Sequence, residues 1–363
     1  MNPWWIAGGI AVAAGMVLFL GRYMTSMPGT SQSGPLQPLT GEERILRAAL
    51  ELHVRTLAET IGERNMYRYE ALEATAEYIR GSFEQMGYEV RAQSFLAGTK
   101  AVRNIEAELA GAGERAEIVL VGAHYDSVIG SPGANDNASG VAALLELARM
   151  ARSKPAPRTR RFVAFVNEEP PFFLGGSMGS RVYSRRAKER RERIVAMLSL
   201  ETIGYFSDRP GSQAYPFPIN FYYPKTGNFV GFVGNLASRG LVRRVIRVFR
   251  SRAAIASEGI AAPSVIPGIG WSDHWSFWQE GYPAVMVTDT ALYRYPHYHA
   301  ESDTADRLDY DRLVRVVSGL DVVIDDLAGR GGVAAGTPMA APGRLSGGCG
   351  PTAQSASRDT QHG

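Results

Sequence analysis

The chain has 363 residues, of which 45% are hydrophobic and 21% are charged, and its formal net charge is only +3. This length suits one large domain with appendages or two ordinary domains, and the small net charge predicts no general affinity for nucleic acid. The single cysteine, Cys349, excludes an intramolecular disulfide and argues against zinc ligation by thiolates. Any metal must therefore be bound by histidines and carboxylates.

The N-terminus is an apolar segment without charge from residue 3 to residue 21. Its length is close to the minimum that spans a bilayer as a helix. Two adjacent tryptophans near its start suit one membrane interface, and Arg22 with Tyr23 suits the other. We predict a transmembrane anchor over residues 1–23 rather than a cleaved signal peptide, which normally has a basic residue before its apolar core. A linker rich in Ser, Gly and Pro follows over residues 24–40.

The rest of the chain alternates helical and strand-like patterns. The runs EIVLVGA and RFVAFVN are typical of strands buried on both faces of a sheet. This alternation predicts an α/β domain with a mixed, mostly parallel central sheet flanked by helices. Helices are expected over residues 41–57, 69–86, 138–152, 241–252 and 310–327, and strands over residues 88–95, 102–109, 117–123, 161–167, 194–200 and 284–288.

Two segments depart from this alternation. Residues 206–270 contain many Pro, Gly and aromatic residues, and we expect them to form a long excursion around the helix at 241–252. The tail over residues 330–363 is rich in Gly, Ala, Pro and Ser, which predicts disorder. The domain itself is therefore expected over residues 41–329.

Polar side chains follow the predicted buried strands, at the strand ends where α/β proteins bind ligands. Others begin the next helix or follow the last strand. In chain order they are His124, Asp126, Asp136, Glu168, Glu169, Glu201 and His299.

The adjacent pair Glu168 and Glu169 is unusual after a buried strand. Two neighbouring carboxylates repel each other, and burial penalises both charges, so a bound cation would relieve the cost. Adjacent side chains at a strand end also point in different directions. One carboxylate can then bind metal while the other stays free as a general base. The alternative is an ordinary solvated acidic pair.

Asp126 lies two residues after His124, where it can hold the imidazole nitrogen that faces away from a metal. Asp136 precedes a helix, and its alternative role is a helix cap, which Asn137 can take instead. Imidazoles and carboxylates without thiolates suit a hydrolytic zinc site.

Six segments resemble metallopeptidase family 28, the zinc peptidases related to aminopeptidase Y and glutaminyl cyclase, in their order and spacing. They are VGAHYDSV, GANDNASGVAALLELAR, FVNEEPP, SLETIGY, WSDHWSFWQEGYPAVMVTD and YHAESDT, and the resemblance covers about residues 69–327. The resemblance implies a single zinc-exopeptidase domain that acts on peptides with two zinc ions per chain. The implied zinc ligands are His124, Asp136, Glu169, Glu201 and His299, with Asp136 as the bridge between the two ions. Glu168 matches the general base, and Asp273 matches an acid behind the ligands or in the substrate pocket.

Two departures from the family pattern leave the reaction open. The bulky segment 170–173 replaces a Gly-rich turn, and Glu201 stands where many members have Asp. We expect an aminopeptidase. The alternatives are a single-zinc glutaminyl cyclase or other amidohydrolase on the same scaffold, and an inactive receptor-like ectodomain, against which the complete ligand set argues.

The side of the membrane is a separate question. Basic residues after the anchor favour a catalytic domain in the cytoplasm, whereas the resemblance implies an extracytoplasmic enzyme. We predict a single-pass membrane protein with the catalytic domain on the extracytoplasmic side.

Overall fold

The computed structural model of the protein describes residues 3–113 and 116–329, without the side chains of residues 3 and 5–14. The tail predicted over residues 330–363 lies outside the described residues. The α-helices are α1 (Pro3–Thr25), α2 (Gly41–Arg55), α3 (Tyr69–Gln85), α4 (Gly140–Ala151), α5 (Gly179–Glu189), α6 (Arg239–Arg252), α7 (His274–Gln279) and α8 (Tyr310–Leu327). The strands are β1 (Val90–Ala97), β2 (Lys100–Leu109), β3 (Glu117–His124), β4 (Thr159–Phe165), β5 (Arg193–Glu201), β6 (Phe229–Gly234), β7 (Ala256–Ala261) and β8 (Ala284–Thr288).

These strands form one sheet of eight in the order β1-β2-β4-β3-β5-β8-β6-β7. Strands β4, β3, β5 and β8 are parallel neighbours, and β6 pairs with β7 in parallel. The pairs β1–β2, β2–β4 and β6–β8 are antiparallel. The predicted mixed, mostly parallel sheet is therefore confirmed, and the carboxyl ends of its central parallel strands meet at one edge.

Helices cover both faces of the sheet. Alternate residues of β3 point to opposite faces, so that Val119 and Val121 join the core under α2, α4, α6 and α8. Ile118 and Leu120 join a second cluster, which contains Tyr183 of α5 and other side chains. Burial on both faces explains why β3 is apolar from Ile118 to Ala123.

Residues 206–270, predicted as a long excursion around one helix, also contain two strands of the sheet. These strands, β6 and β7, extend the sheet beyond β8. Their sequences, FVGFVG and ASEGIA, contain glycines that weaken a local strand signal. Pairing with an existing sheet edge supplies the stability that local propensity lacks.

The apolar N-terminal segment forms the 23-residue helix α1. Among the helices of the described residues, none is long and apolar enough to cross a membrane. The transmembrane anchor predicted over residues 1–23 is thus not found in this part of the chain, and most of its first 14 side chains fall outside the description.

Candidate metal centre

The sheet brings the predicted ligands together at the carboxyl ends of three neighbouring strands. His124 is the last residue of β3, and Glu201 is the last residue of β5. Glu168 and Glu169 follow β4 at a distance of three and four residues. Because β4, β3 and β5 are adjacent and parallel, these side chains meet at one edge, as the sequence predicted.

Five side chains form two ligand sets that share one residue. His124 Nε2 lies 3.2 Å from Glu201 Oε2 and 3.4 Å from Asp136 Oδ1. On the other side, His299 Nε2 lies 3.1 Å from Asp136 Oδ2 and 3.2 Å from Glu169 Oε2. Within each set, one ligand atom from every residue lies within 4.8 Å of the others. The two oxygens of Asp136 therefore face different sets, which is the arrangement that a carboxylate bridging two cations needs.

The burial and hydrogen bonding of these atoms fit a metal site. His124 Nε2, both oxygens of Asp136 and Glu169 Oε1 are buried and have no hydrogen-bond partner among the described residues. Buried polar atoms without partners are costly and rare in folded proteins. Two imidazoles and three carboxylates are ligands that zinc accepts, so the residues present fit this metal.

The pKa values of the clustered side chains also fit a metal site. Burial opposes protonation of His299, but Asp136 and Glu169 raise its pKa to about 10. Burial raises the pKa of Glu169 to about 8, and the nearby Asp136 adds to the shift. These shifts show that buried carboxylates crowd one another beside the imidazoles, a repulsion that bound divalent cations would relieve.

Glu168 lies beside the ligands with its carboxylate Oε2 4.0 Å from His124 Nε2. Burial raises its pKa well above the usual range, against the opposing effect of His124. A carboxylate with a raised pKa beside a metal site can accept and release a proton near neutral pH.

Asp126 contacts both His124, as predicted, and the turn that carries the two glutamates. Its two carboxylate oxygens accept the backbone N–H groups of Glu168 and Glu169, each at 3.1 Å. The Nδ1 atom of His124 lies 3.2 Å from the backbone carbonyl of Asp126 and 3.6 Å from its carboxylate. The backbone carbonyl and the carboxylate of Asp126 thus both face the imidazole, and the carboxylate also fixes the turn that carries both glutamates.

A second buried carboxylate fixes the segment around Asp136. Asp303 accepts the backbone N–H groups of Asn135 at 2.8 Å and of Asp136 at 3.1 Å, and the hydroxyl of Tyr295 at 2.6 Å. Next to Asp136, Asn137 Oδ1 accepts the N–H of Gly140 at the start of α4.

One further supporting residue was not predicted from the sequence. Arg64 is fully buried and donates to the backbone carbonyls of Tyr125, Pro132 and Gly133, on both sides of the loop between His124 and Asp136. Burial lowers its pKa to about 10. No local motif marks such a residue, because its partners are carbonyls of distant segments.

An apolar cavity of about 110 Å³ opens beside Glu201 and Tyr298. Its walls come largely from the excursion, including Tyr215, Ile219 and Tyr223. Asp273, the predicted substrate-pocket acid, is fully buried and is not among the described residues that line this cavity. Burial raises its pKa to about 7. Its neighbour Ser272 donates a 2.7 Å hydrogen bond to Glu201, so this segment stands behind the ligands.

Comparisons with known proteins agree with this geometry. The model of peptidase family M28 matches residues 104–322. The uncharacterized Escherichia coli protein YfbL is 36% identical over 315 residues, which cover 84% of this chain and 92% of YfbL. A probable leucine aminopeptidase 1 from Trichophyton verrucosum is 28% identical over 56% of this chain, which spans only 52% of that relative.

Solved structures share the fold. The zinc aminopeptidase BSAP from Bacillus subtilis superposes with a TM-score of 0.63 at 16% identity, covering 77% of this chain and 95% of BSAP. The same fold occurs in glutaminyl cyclases. The fold alone therefore leaves the reaction open.

Proposed function

The chain belongs to peptidase family M28, and we propose that this metallo-exopeptidase hydrolase is an aminopeptidase that removes N-terminal residues from peptides with two zinc ions. The observation that carries the proposal is the division of Asp136 between two ligand sets. His124 and Glu201 would complete one set, and Glu169 and His299 the other. Bound zinc would supply Lewis acidity for the substrate carbonyl and for the attacking water.

The protein's own groups would handle the proton. Glu168 lies 4.0 Å from His124 of one ligand set and precedes Glu169 of the other in the sequence, without belonging to either set. Its raised pKa suits a group that takes a proton from water and passes it to the leaving amine. Asp126 would position this base through the backbone N–H of Glu168.

The test is Glu168→Gln in the zinc-loaded protein, assayed with leucine 4-nitroanilide. We expect kcat to fall by about 10²–10⁴-fold, the usual contribution of general acid–base catalysis, with the zinc content unchanged at two ions per chain. Glu84→Gln is the matched control, because Glu84 is exposed on α3 and pairs with Arg80. A loss below about tenfold would exclude Glu168 as the base, and one tightly bound zinc would exclude the two-metal site.

Two substrate comparisons separate the competing reactions. An aminopeptidase needs a free amino terminus, so an N-acetylated peptide should be cleaved far more slowly than its free form. A glutaminyl cyclase, the alternative on this scaffold, would convert an N-terminal glutamine to pyroglutamate without cleaving the chain. Formation of pyroglutamate as the main product would replace the aminopeptidase assignment.

We also propose that α1 attaches the enzyme to a membrane, with the catalytic domain on the extracytoplasmic side. The support is the apolar run at the described end of α1, where Phe19 is 68% exposed. Carbonate-washed membranes of expressing cells should retain the full chain, and external protease should digest it in intact cells. Recovery of the intact chain in the soluble fraction would contradict the attachment.

A further inference from the structure

The floor of the apolar cavity is a single row of residues across the sheet. Glu201 pairs with Thr288, Thr288 with Gly231, and Gly231 with Glu258, so the row crosses β5, β8, β6 and β7. All four residues line the cavity. Because paired residues on adjacent strands point to the same face, the two glutamates stand at opposite ends of one row, three strand spacings or roughly 14 Å apart.

One position in the middle of this row has no side chain. A Cβ placed at Gly231 would lie 3.3 Å from the carbonyl oxygen of Thr288 and 3.7 and 3.8 Å from the methyl groups of Thr288 and Thr290, so a side chain there would crowd the row. Side chains of the next row along the same face, Met286, Val233 and Ile260, continue the floor with apolar surface. The cavity is thus an apolar trough that runs from the ligand cluster at Glu201 to Glu258.

Glu258 is a partly buried carboxylate that forms an ion pair with Arg250. In the described part of the chain, no hydrogen bond to its carboxylate is found, and Arg250 Nη2 lies 3.6 Å from Oε2. Arg250 is not a cavity-lining residue, and its N–H groups donate to Ser257 and to the carbonyls of Pro28 and Gly29. Glu201 and Glu258 are the charged groups among the described cavity-lining residues.

We propose that Glu258 is a specificity residue that selects substrates whose N-terminal side chain is long, apolar along its length and cationic at its end, as in lysine and arginine. The inference rests on the proposed function, because it takes the reacting carbonyl to lie at the ligand cluster. A side chain of four methylenes and an amine reaches roughly 6 Å from its Cα. That reach, with the backbone of the substrate and a hydrogen bond at the far end, matches the length of the row.

The chemistry of the trough favours these side chains over aliphatic ones of equal length. Methylenes gain from contact with the apolar floor, and a terminal cation would give the Glu258 carboxylate a charge-assisted hydrogen bond. A norleucine side chain fills the same trough but leaves the carboxylate without a donor. Short side chains reach neither the gap at Gly231 nor Glu258.

The experiment uses the full chain loaded with zinc and the 4-nitroanilides of lysine, norleucine and alanine. We expect kcat/KM for lysine to exceed that for norleucine by at least about tenfold. Glu258→Gln should lower the lysine value about ten- to a hundredfold and leave norleucine within about threefold. Glu84→Gln should change none of them. Gly231→Val should lower kcat/KM for the lysine and norleucine substrates together and leave kcat/KM for the alanine substrate unchanged, because the valine side chain would block the middle of the row.

Calorimetry of lysinamide and norleucinamide with the zinc-loaded Glu168→Gln variant provides a readout without turnover. If lysinamide binds more tightly than norleucinamide and Glu258→Gln removes this difference, the assignment of Glu258 is supported even when no nitroanilide is cleaved. Absence of cleavage would then defeat only the proposed function. Efficient cleavage without a lysine preference, or a preference that survives Glu258→Gln, would overturn the inference and leave the aminopeptidase proposal standing.

Discussion

Replacing Asp126 by asparagine tests whether the carboxylate fixes the turn that carries Glu168 and Glu169. The wild-type oxygens each accept one backbone N–H at 3.1 Å, and the side chain is almost fully buried. Asparagine has the same shape but only one acceptor, so its amide group would face one N–H donor with another donor.

The magnitude follows from these two contacts. Loss of one charge-assisted hydrogen bond costs about 1.5–3 kcal/mol, and the buried N–H left without an acceptor adds about 1 kcal/mol. We therefore expect a loss of about 2.5–4 kcal/mol in the free energy of unfolding. For a domain of this size, that corresponds to a decrease in Tm of about 4–10 °C. The shifted turn should also weaken zinc binding by about 10–100-fold, as is typical when groups behind metal ligands are changed.

The assay is urea unfolding of the zinc-free protein, combined with zinc titration against a chelator of known affinity. Asp208→Asn is the control, because its carboxylate is 66% exposed and should change stability by no more than about 0.5 kcal/mol. If Asp126→Asn kept both the wild-type stability and the wild-type zinc affinity, the positioning role of this carboxylate would be wrong.

Two further predictions concern stability. Arg64→Met should destabilise the protein by about 3 kcal/mol or more in urea unfolding, because three buried loop carbonyls lose their donors; the exposed Arg68→Met is the control, and an equal effect would refute the assigned role. In zinc-free protein, the raised pKa values of His299, about 10, and Glu169, about 8, mean that the folded state binds protons more tightly than the unfolded chain. The stabilisation that these two groups contribute is complete below their pKa values in the unfolded chain, and it is lost as pH rises through about 8 and 10. The Tm of the zinc-free protein should therefore fall between pH 6.5 and 9.5, and bound zinc should flatten this dependence on pH. A zinc-free Tm that rises over this range would contradict the charge balance.

Much of the site could be predicted because the local sequence contains its determinants. A buried parallel strand requires an unbroken apolar run, and the polar residue that ends such a run must lie at the sheet edge. His124 and Glu201 follow this rule, as do the two glutamates after β4. The assignments of Asp136 as a bridging ligand and of His299 as a ligand came from the family resemblance, since neither follows from a strand pattern.

The tertiary structure decided the features that depend on residues distant in the chain. Strands β6 and β7 have weak local signals and exist because they pair with β8 and with each other. The row from Glu201 to Glu258 depends on the register of four strands. Arg64 likewise acts through carbonyls more than 60 residues away. Residue types and their periodicity can be observed directly in the sequence. Strand register, long-range hydrogen bonds and cavity walls form only when the sheet assembles, because each depends on segments whose separation in sequence does not determine their distance in space.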